Sequence, residues 1–270
     1  MRVAAVVLAA VLVALGVAAA VSAQAPAPTV RIQASESSLN VGVSGPLAAG
    51  PTRFEVVNTG GDDLEITIAA LRPGITLGQA TDALRSDPES AIELVHIDGG
   101  VSLTANQETR AVTFDLRPNS TYVVLNLTGD DPGDWEIVEL AVSGQSNGAS
   151  VPGADARVRI VDLRFRGAKT LPRRGVVRFE NDGWAPHFAF AAKLRKGARK
   201  REVAFALRND RNRRLERLVN FERSTEPQAL ITRGAVNYNE VRFPGRGRYV
   251  MVCFFENHHR QGMYRFVRVR

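Results

Sequence analysis

Short apolar runs, rich in Val, Ile, Phe and Tyr, recur along most of the chain. They include TRFEVVN (52–58), LEITIAAL (64–71), AVTFDL (111–116), TYVVLNL (121–127), EIVELAV (136–142), RVRIVDLRF (157–165), GVVRFEN (175–181), RYVMVCFF (248–255) and YRFVRV (264–269). Clusters of Gly, Pro, Asn and Asp punctuate them. Many short strands separated by regular turn signals predict an all-β chain of sandwich type. Two stretches break the pattern and predict helices. One is TLGQATDALRS, Thr76 to Ser86. The other is Lys200 to Phe221, read as two helices around Asn209-Asp210.

The pattern occurs twice. Placing Asn58 on Asn181 puts Gly60 on Gly183, Leu71 on Leu194 and Gly74 on Gly197 without a gap, at an offset of 123 residues. Placing Tyr122 on Tyr249 carries Val142 onto Val269, at an offset of 127. In each copy an Asn-x-Gly loop leads to a helical insertion, and the copy closes with a strand, a loop and a strand. The segment SGQSNGASVPGAD (143–155) has linker composition. The expectation is two tandem Greek-key β-sandwiches with short helical insertions, residues 24–145 and 156–270, joined by a linker at 146–155.

The first 23 residues stand apart. Met1-Arg2, an apolar stretch from Val3 to Val21 and the small residues Val21-Ser22-Ala23 read as a secretory signal peptide cut after Ala23. Residues 1–23 contact a membrane only if that segment stays uncleaved. Export to a periplasmic, extracytoplasmic or secreted location is the expectation.

The formal net charge of +7 conceals a split. Residues 24–150 carry 6 arginines, no lysine and 17 acids, net −11, whereas residues 151–270 carry 28 Lys plus Arg and 11 acids, net +17. Such fields steer encounters with oppositely charged partners. Two outlets are open: the acidic copy packs on the basic one, or the basic copy docks on an acidic redox protein or an anionic envelope surface. Nucleic acid is not expected of an exported chain without a binding motif.

The copies also differ in chemistry. The C-terminal one contains His187, the single cysteine Cys253, the pair His258-His259, and Met263. At the matching positions the N-terminal copy has Leu64 for His187, Asn126 for Cys253, Asp131 for His258 and Glu136 for Met263. All four differences fall at residues that could bind a metal, while the framework around them is kept. A lone cysteine in an exported chain has no disulfide partner of its own. One thiolate, two imidazoles and a thioether suit a mononuclear copper electron-transfer site, with two His and one Cys in a trigonal plane and a weak axial Met. Zinc or iron more often recruits several cysteines or carboxylates. By spacing, either C-x4-H-x4-M through His258 or C-x5-H-x3-M through His259 is open.

At these residues the C-terminal copy resembles a cupredoxin, the blue copper fold of plastocyanin, azurin and auracyanin. VRFENDGWAPHF resembles the stretch in which an Asn, a Gly and a Pro precede the first copper histidine. GRYVMVCFFENHHRQGM resembles the closing motif, a strand ending in Cys, then His, then Met. The resemblance implies one type 1 copper with His187, Cys253 and His258 equatorial and Met263 axial. It also implies a backbone N–H from Phe188 to the sulfur, and an electron path through the His258 imidazole edge. It covers about residues 157–270, while residues 29–145 share the framework only.

The function expected is that of an exported one-electron carrier and not an enzyme. Tandem cupredoxin enzymes need further histidine sites, and this chain has four histidines in all, three of them in or beside the proposed site. Two other readings stand beside it: a metal-free cupredoxin-like envelope-binding module, and a copper-binding or delivery protein without electron transfer. Trp184 is open to two roles, part of an apolar docking patch or core packing. His96 is expected to be structural or at the surface.

Overall fold

The apolar faces of the short alternating runs need a second layer to bury them, and that requirement organises the chain into packed sheets. The structure, a computed structural model, describes residues 25–104, 108–129 and 131–270. The expected signal segment lies outside the described residues. Among the described residues no helix is long and apolar enough to cross a membrane.

The N-terminal half contains β1 (Thr29–Ser35), β2 (Ser38–Gly42), β3 (Leu47–Asn58), β4 (Leu64–Leu71), β5 (Val95–Leu103), β6 (Thr109–Leu116), β7 (Ser120–Asn126) and β8 (Glu136–Ser146). Helices α1 (Leu77–Ser86) and α2 (Pro88–Ala91) lie between β4 and β5. The C-terminal half contains β9 (Ala156–Val161), β10 (Arg164–Gly167), β11 (Thr170–Leu171), β12 (Arg174–Asn181), β13 (His187–Leu194), β14 (Val219–Ile231), β15 (Val236–Arg242), β16 (Gly247–Val252) and β17 (Tyr264–Val269). Its helices α3 (Lys200–Arg208) and α4 (Asn212–Leu218) lie between β13 and β14.

The strand pairings correspond. β1 runs parallel to β3 as β9 does to β12. β4 lies antiparallel between β5 and β7 as β13 does between β14 and β16. β7 pairs with β8 as β16 pairs with β17. One difference is local. β3 is a single long strand whose start pairs with β8 and whose remainder pairs with β6, whereas the C-terminal half divides that path into β11, on β17, and β12, on β15. Pro172 falls at the break, where its missing N–H suits a gap between ladders.

Each half encloses its own core. Phe54, Phe114 and Tyr122 centre one; Phe179, Phe243 and Tyr249 centre the other. The two buried tyrosines satisfy their hydroxyls nearby, Tyr122 with the Arg117 N–H and Asp98, Tyr249 by donating to the Gly245 carbonyl.

The helices start where the sequence signals. Thr76 accepts from the Gln79 N–H and Gln79 reciprocates, closing a capping box on α1. The expected second helical stretch divides at Asn209 and Asp210, the latter at φ 52°. Its last residues, Val219 to Phe221, are extended instead, because the chain there joins β14 beside β13.

A strand joins the halves. β15 pairs antiparallel with β6, so one sheet runs β10-β9-β12-β15-β6-β3 across the seam. Asn237 donates to the Asp98 carbonyl and Thr232 N–H to that of Ile97. His96 is structural here, between the Asp98 carboxylate and the Arg233 carbonyl. An ion pair across the seam, Arg53 with Glu240, runs against the overall charge split: the arginine comes from the acidic half.

Candidate metal centre

The register fixes where the chemistry lands. β13 begins at His187 and lies antiparallel to β16, with Phe190 opposite Val252, so the residue that follows β16 falls opposite Ala189, two places along the same buried face from His187. That following residue is Cys253. β16 and β17 pair from Val252 opposite Tyr264, leaving residues 253–263 as the connecting loop that carries Cys253, His258 and Met263.

The loop is held by its own backbone. Cys253 N–H donates to the Met263 carbonyl and Met263 N–H to that of His258, at 3.2 and 3.0 Å. Glu256 and Asn257 take positive φ of 42° and 62° to reverse the chain. On the opposite wall, buried Asn181 staples the approach to His187. Its amide donates to the Ala185 and Ile231 carbonyls, and its Oδ1 accepts from the Gly183 N–H. Gly183 has no room for a side chain: a Cβ would sit 2.8 Å from the Asp162 nitrogen and 3.2 Å from His187 Nε2.

Three donor atoms converge. His187 Nδ1 and His258 Nδ1 are 3.1 Å apart, and Cys253 Sγ lies 3.9 and 3.6 Å from them. A circle through these atoms has a radius of about 2.1 Å. One ion held among these atoms would reach all three at ordinary lengths of about 2.0 Å to nitrogen and about 2.3 Å to sulfur. All three residues are buried. The backbone N–H groups of Phe188 and Phe255 hydrogen-bond the sulfur. Met263 is fully buried in the core cluster that includes Cys253.

No family model and no curated protein matches the sequence. Solved structures do resemble it. An auracyanin B structure is 20% identical, over 45% of this chain and 91% of its own, with a TM-score of 0.26. Auracyanin from the photosynthetic bacterium Roseiflexus castenholzii is 18% identical over 44% and 99%, with a TM-score of 0.27. A copper-containing nitrite reductase from Thermus scotoductus is 11% identical over 90% of this chain and 61% of its own, with a TM-score of 0.26. The structural neighbours are cupredoxins.

The neighbouring histidine is placed elsewhere. His259 packs its ring, tilted by 59°, against Phe254 and turns its Nε2 toward Asp210, 3.7 Å away. His258 also differs from a bare docking edge: its side chain is 2% exposed, with the Phe255 ring packed against it. Trp184 is not core; it is 66% exposed on the loop leading to His187.

Among the described residues, the equivalent end of the N-terminal half gathers no such donor cluster. Leu64 starts β4 and is buried. Asn126 ends β7, donating to the Ser35 carbonyl and accepting from Thr128 N–H. Asp131 caps a short turn through Gly133 N–H. These contacts use backbone partners where the C-terminal half leaves side-chain lone pairs free to converge.

Burial sets the protonation states. It lowers His187 to about 4, with the His258 ring adding to the effect. It also lowers His258, against the pull of Glu256. The Cys253 thiol is pushed up to about 11, again by burial, although the Phe188 and Phe255 N–H groups oppose this. At neutral pH the set is thus two neutral imidazoles and a thiol, and metal uptake must release the thiol proton.

Sequence reasoning missed Glu226, because its effect comes from distant elements. This β14 residue is raised to about 8 by burial and then by Glu65, against a hydrogen bond from Ser102. Between about pH 4.5 and 8 the folded chain holds a proton that the unfolded chain has released, so stability falls as pH rises through that window. The urea midpoint of the metal-free protein is expected to be lower at pH 9 than at pH 6. Glu226→Gln should raise the pH 9 value toward the pH 6 one. An unchanged slope in the variant assigns the effect to other groups.

Proposed function

We propose that the chain is an exported one-electron carrier whose single type 1 copper would be held by His187, Cys253 and His258, with Met263 as a further ligand. The observation that carries this reading is the buried triangle of two Nδ1 atoms and one Sγ, sized for one ion and rich in soft donors. Copper bound there would supply reversible one-electron chemistry. The protein's own residues hold the donors in place: Asn181 fixes the His187 loop, the loop backbone ties Cys253 to Met263, and two N–H groups stabilise thiolate charge on the sulfur. With little freedom to move, such a set keeps reorganisation small when an electron arrives.

Residues 24–145 and 156–270 are read as two domains, supported by their separate cores and corresponding pairings. Only the second carries the donor set. The basic C-terminal domain, net +17 over residues 151–270, suits an acidic redox partner or an anionic envelope surface. Electrons would cross the cover over His258, whose side chain is 2% exposed, rather than a bare imidazole edge.

Copper titration tests the reading. An intense orange-red absorption should grow and saturate at one ion per chain, bleach with a reductant, and return with an oxidant without loss of metal. A protein that fills with copper yet stays colourless, or one that takes up no copper tightly, contradicts it.

A further inference from the structure

The outer face of the same sheet is treated differently in the two halves. In the C-terminal half, α3 and α4 press Val203, Leu207 and Leu215 onto Val250 and Val252 of β16, and all five are buried. In the N-terminal half the position matching Val203 is Ala80, the one buried residue of α1, and Ala91 is the one buried residue of α2. Leu77 and Leu84 of α1 pack against the sheet and are only partly buried, and the two methyl groups leave the space between them and the strands unfilled. A cavity of about 240 Å³ remains between these helices and the valines and leucines of β5 and β7. Its wall is almost wholly hydrocarbon, with Trp135 on one side.

The helix cannot simply settle into this space. The capping box at Thr76 and Gln79 fixes the start of α1, and Asp87 caps α2 and ends α1. Water gains little there, because apolar cavities lack the two to four polar partners that hold it; an engineered apolar cavity of about 150 Å³ stays dry and binds benzene. This one is larger and open at one side, so it fits a substituted single ring or a compact branched hydrocarbon.

We propose that this cavity is a binding site for a small, uncharged, apolar molecule. Phe255 forms part of its wall. The same residue packs its ring on His258 at 5.7 Å and gives its N–H to Cys253, so an occupant touches a residue that touches two donors of the centre.

The binding claim is independent of copper and is tested on the full-length, metal-free protein. Trp184→Phe leaves Trp135 as the single tryptophan. Toluene, the probe, should then shift the Trp135 emission to the blue in a saturable titration. Ala80→Leu, which restores bulk where the other half has Val203, should weaken toluene binding at least tenfold and leave the thermal transition unchanged or higher. The variant's own melting curve shows whether it folds, and Ala80→Val provides a milder filler with an intermediate loss. A response that rises linearly without saturating, or equal affinity in the parent and both fillers, overturns the proposal.

Discussion

Cys253→Ser is expected to leave copper-treated protein colourless and to weaken copper retention by more than about a hundredfold, beyond what loss of an outer hydrogen bond produces. The sulfur is the one soft, covalent donor within the triangle, and with copper bound a visible band would arise from charge moving between sulfur and metal. A serine hydroxyl is harder, and stays protonated in a site whose burial already pushes a thiol up to about 11. Folding should survive. Serine is smaller, and the Phe188 and Phe255 N–H groups that hydrogen-bond the sulfur can donate to a hydroxyl oxygen. Far-ultraviolet circular dichroism and the urea midpoint of the metal-free variant check this. Met263→Leu should act more gently, keeping the colour and shifting only its intensity and the reduction potential. If Cys253→Ser keeps the band, the thiolate is not its source.

The second large effect contrasts two asparagines. Asn181 and Asn58 play matching parts: each is fully buried, each donates to two backbone carbonyls, and each accepts from the N–H two residues on. Removing either amide leaves buried carbonyls unpaired, so alanine should cost about 3 kcal/mol at both positions. Their consequences for the metal should differ. Asn181→Ala frees the loop that aims His187, so copper binding weakens and the visible band broadens. Asn58→Ala loosens the loop before Leu64, where no donor stands, and should leave the spectrum of the folded fraction unchanged. Chemical denaturation and visible titration of both variants measure the two effects separately. Equal spectral damage from both would mean that the N-terminal framework shapes the centre after all.

Much of this was legible in the chain because the code was local. The apolar runs fall on strands, except that RVRIVDLRF turns at Asp162 into β9 and β10 and RYVMVCFF leaves the sheet after Val252, and the capping residue Thr76 marks the start of α1 to within one residue. Asp87-Pro88 caps the short α2, a signal present in the sequence but overlooked. The candidate residues stood out because the chain supplies its own comparison: Leu64, Asn126, Asp131 and Glu136 occupy the matching positions and offer neither the thiol, the imidazoles nor the thioether. What was not legible depends on contacts between distant segments. The choice between His258 and His259 turns on where each ring packs, one beside Cys253 and the other against Phe254 and Asp210. The exposure of Trp184 and the cover over His258 follow from how loops meet, not from their composition. The pairing of β15 with β6 and the perturbation of Glu226 arise at the seam between the halves, where no sequence period reports. The charge split suggested electrostatic packing, yet the seam is built from strand pairing and buried amides, with Arg53 and Glu240 placed in the opposite sense.

X-ray absorption at the copper edge, on protein loaded with one equivalent, addresses the centre most directly. Two nitrogen neighbours at about 2.0 Å and one sulfur at about 2.2–2.3 Å are predicted, the sulfur vanishing in Cys253→Ser. A shell of nitrogen and oxygen alone in the unsubstituted protein would contradict the proposed centre.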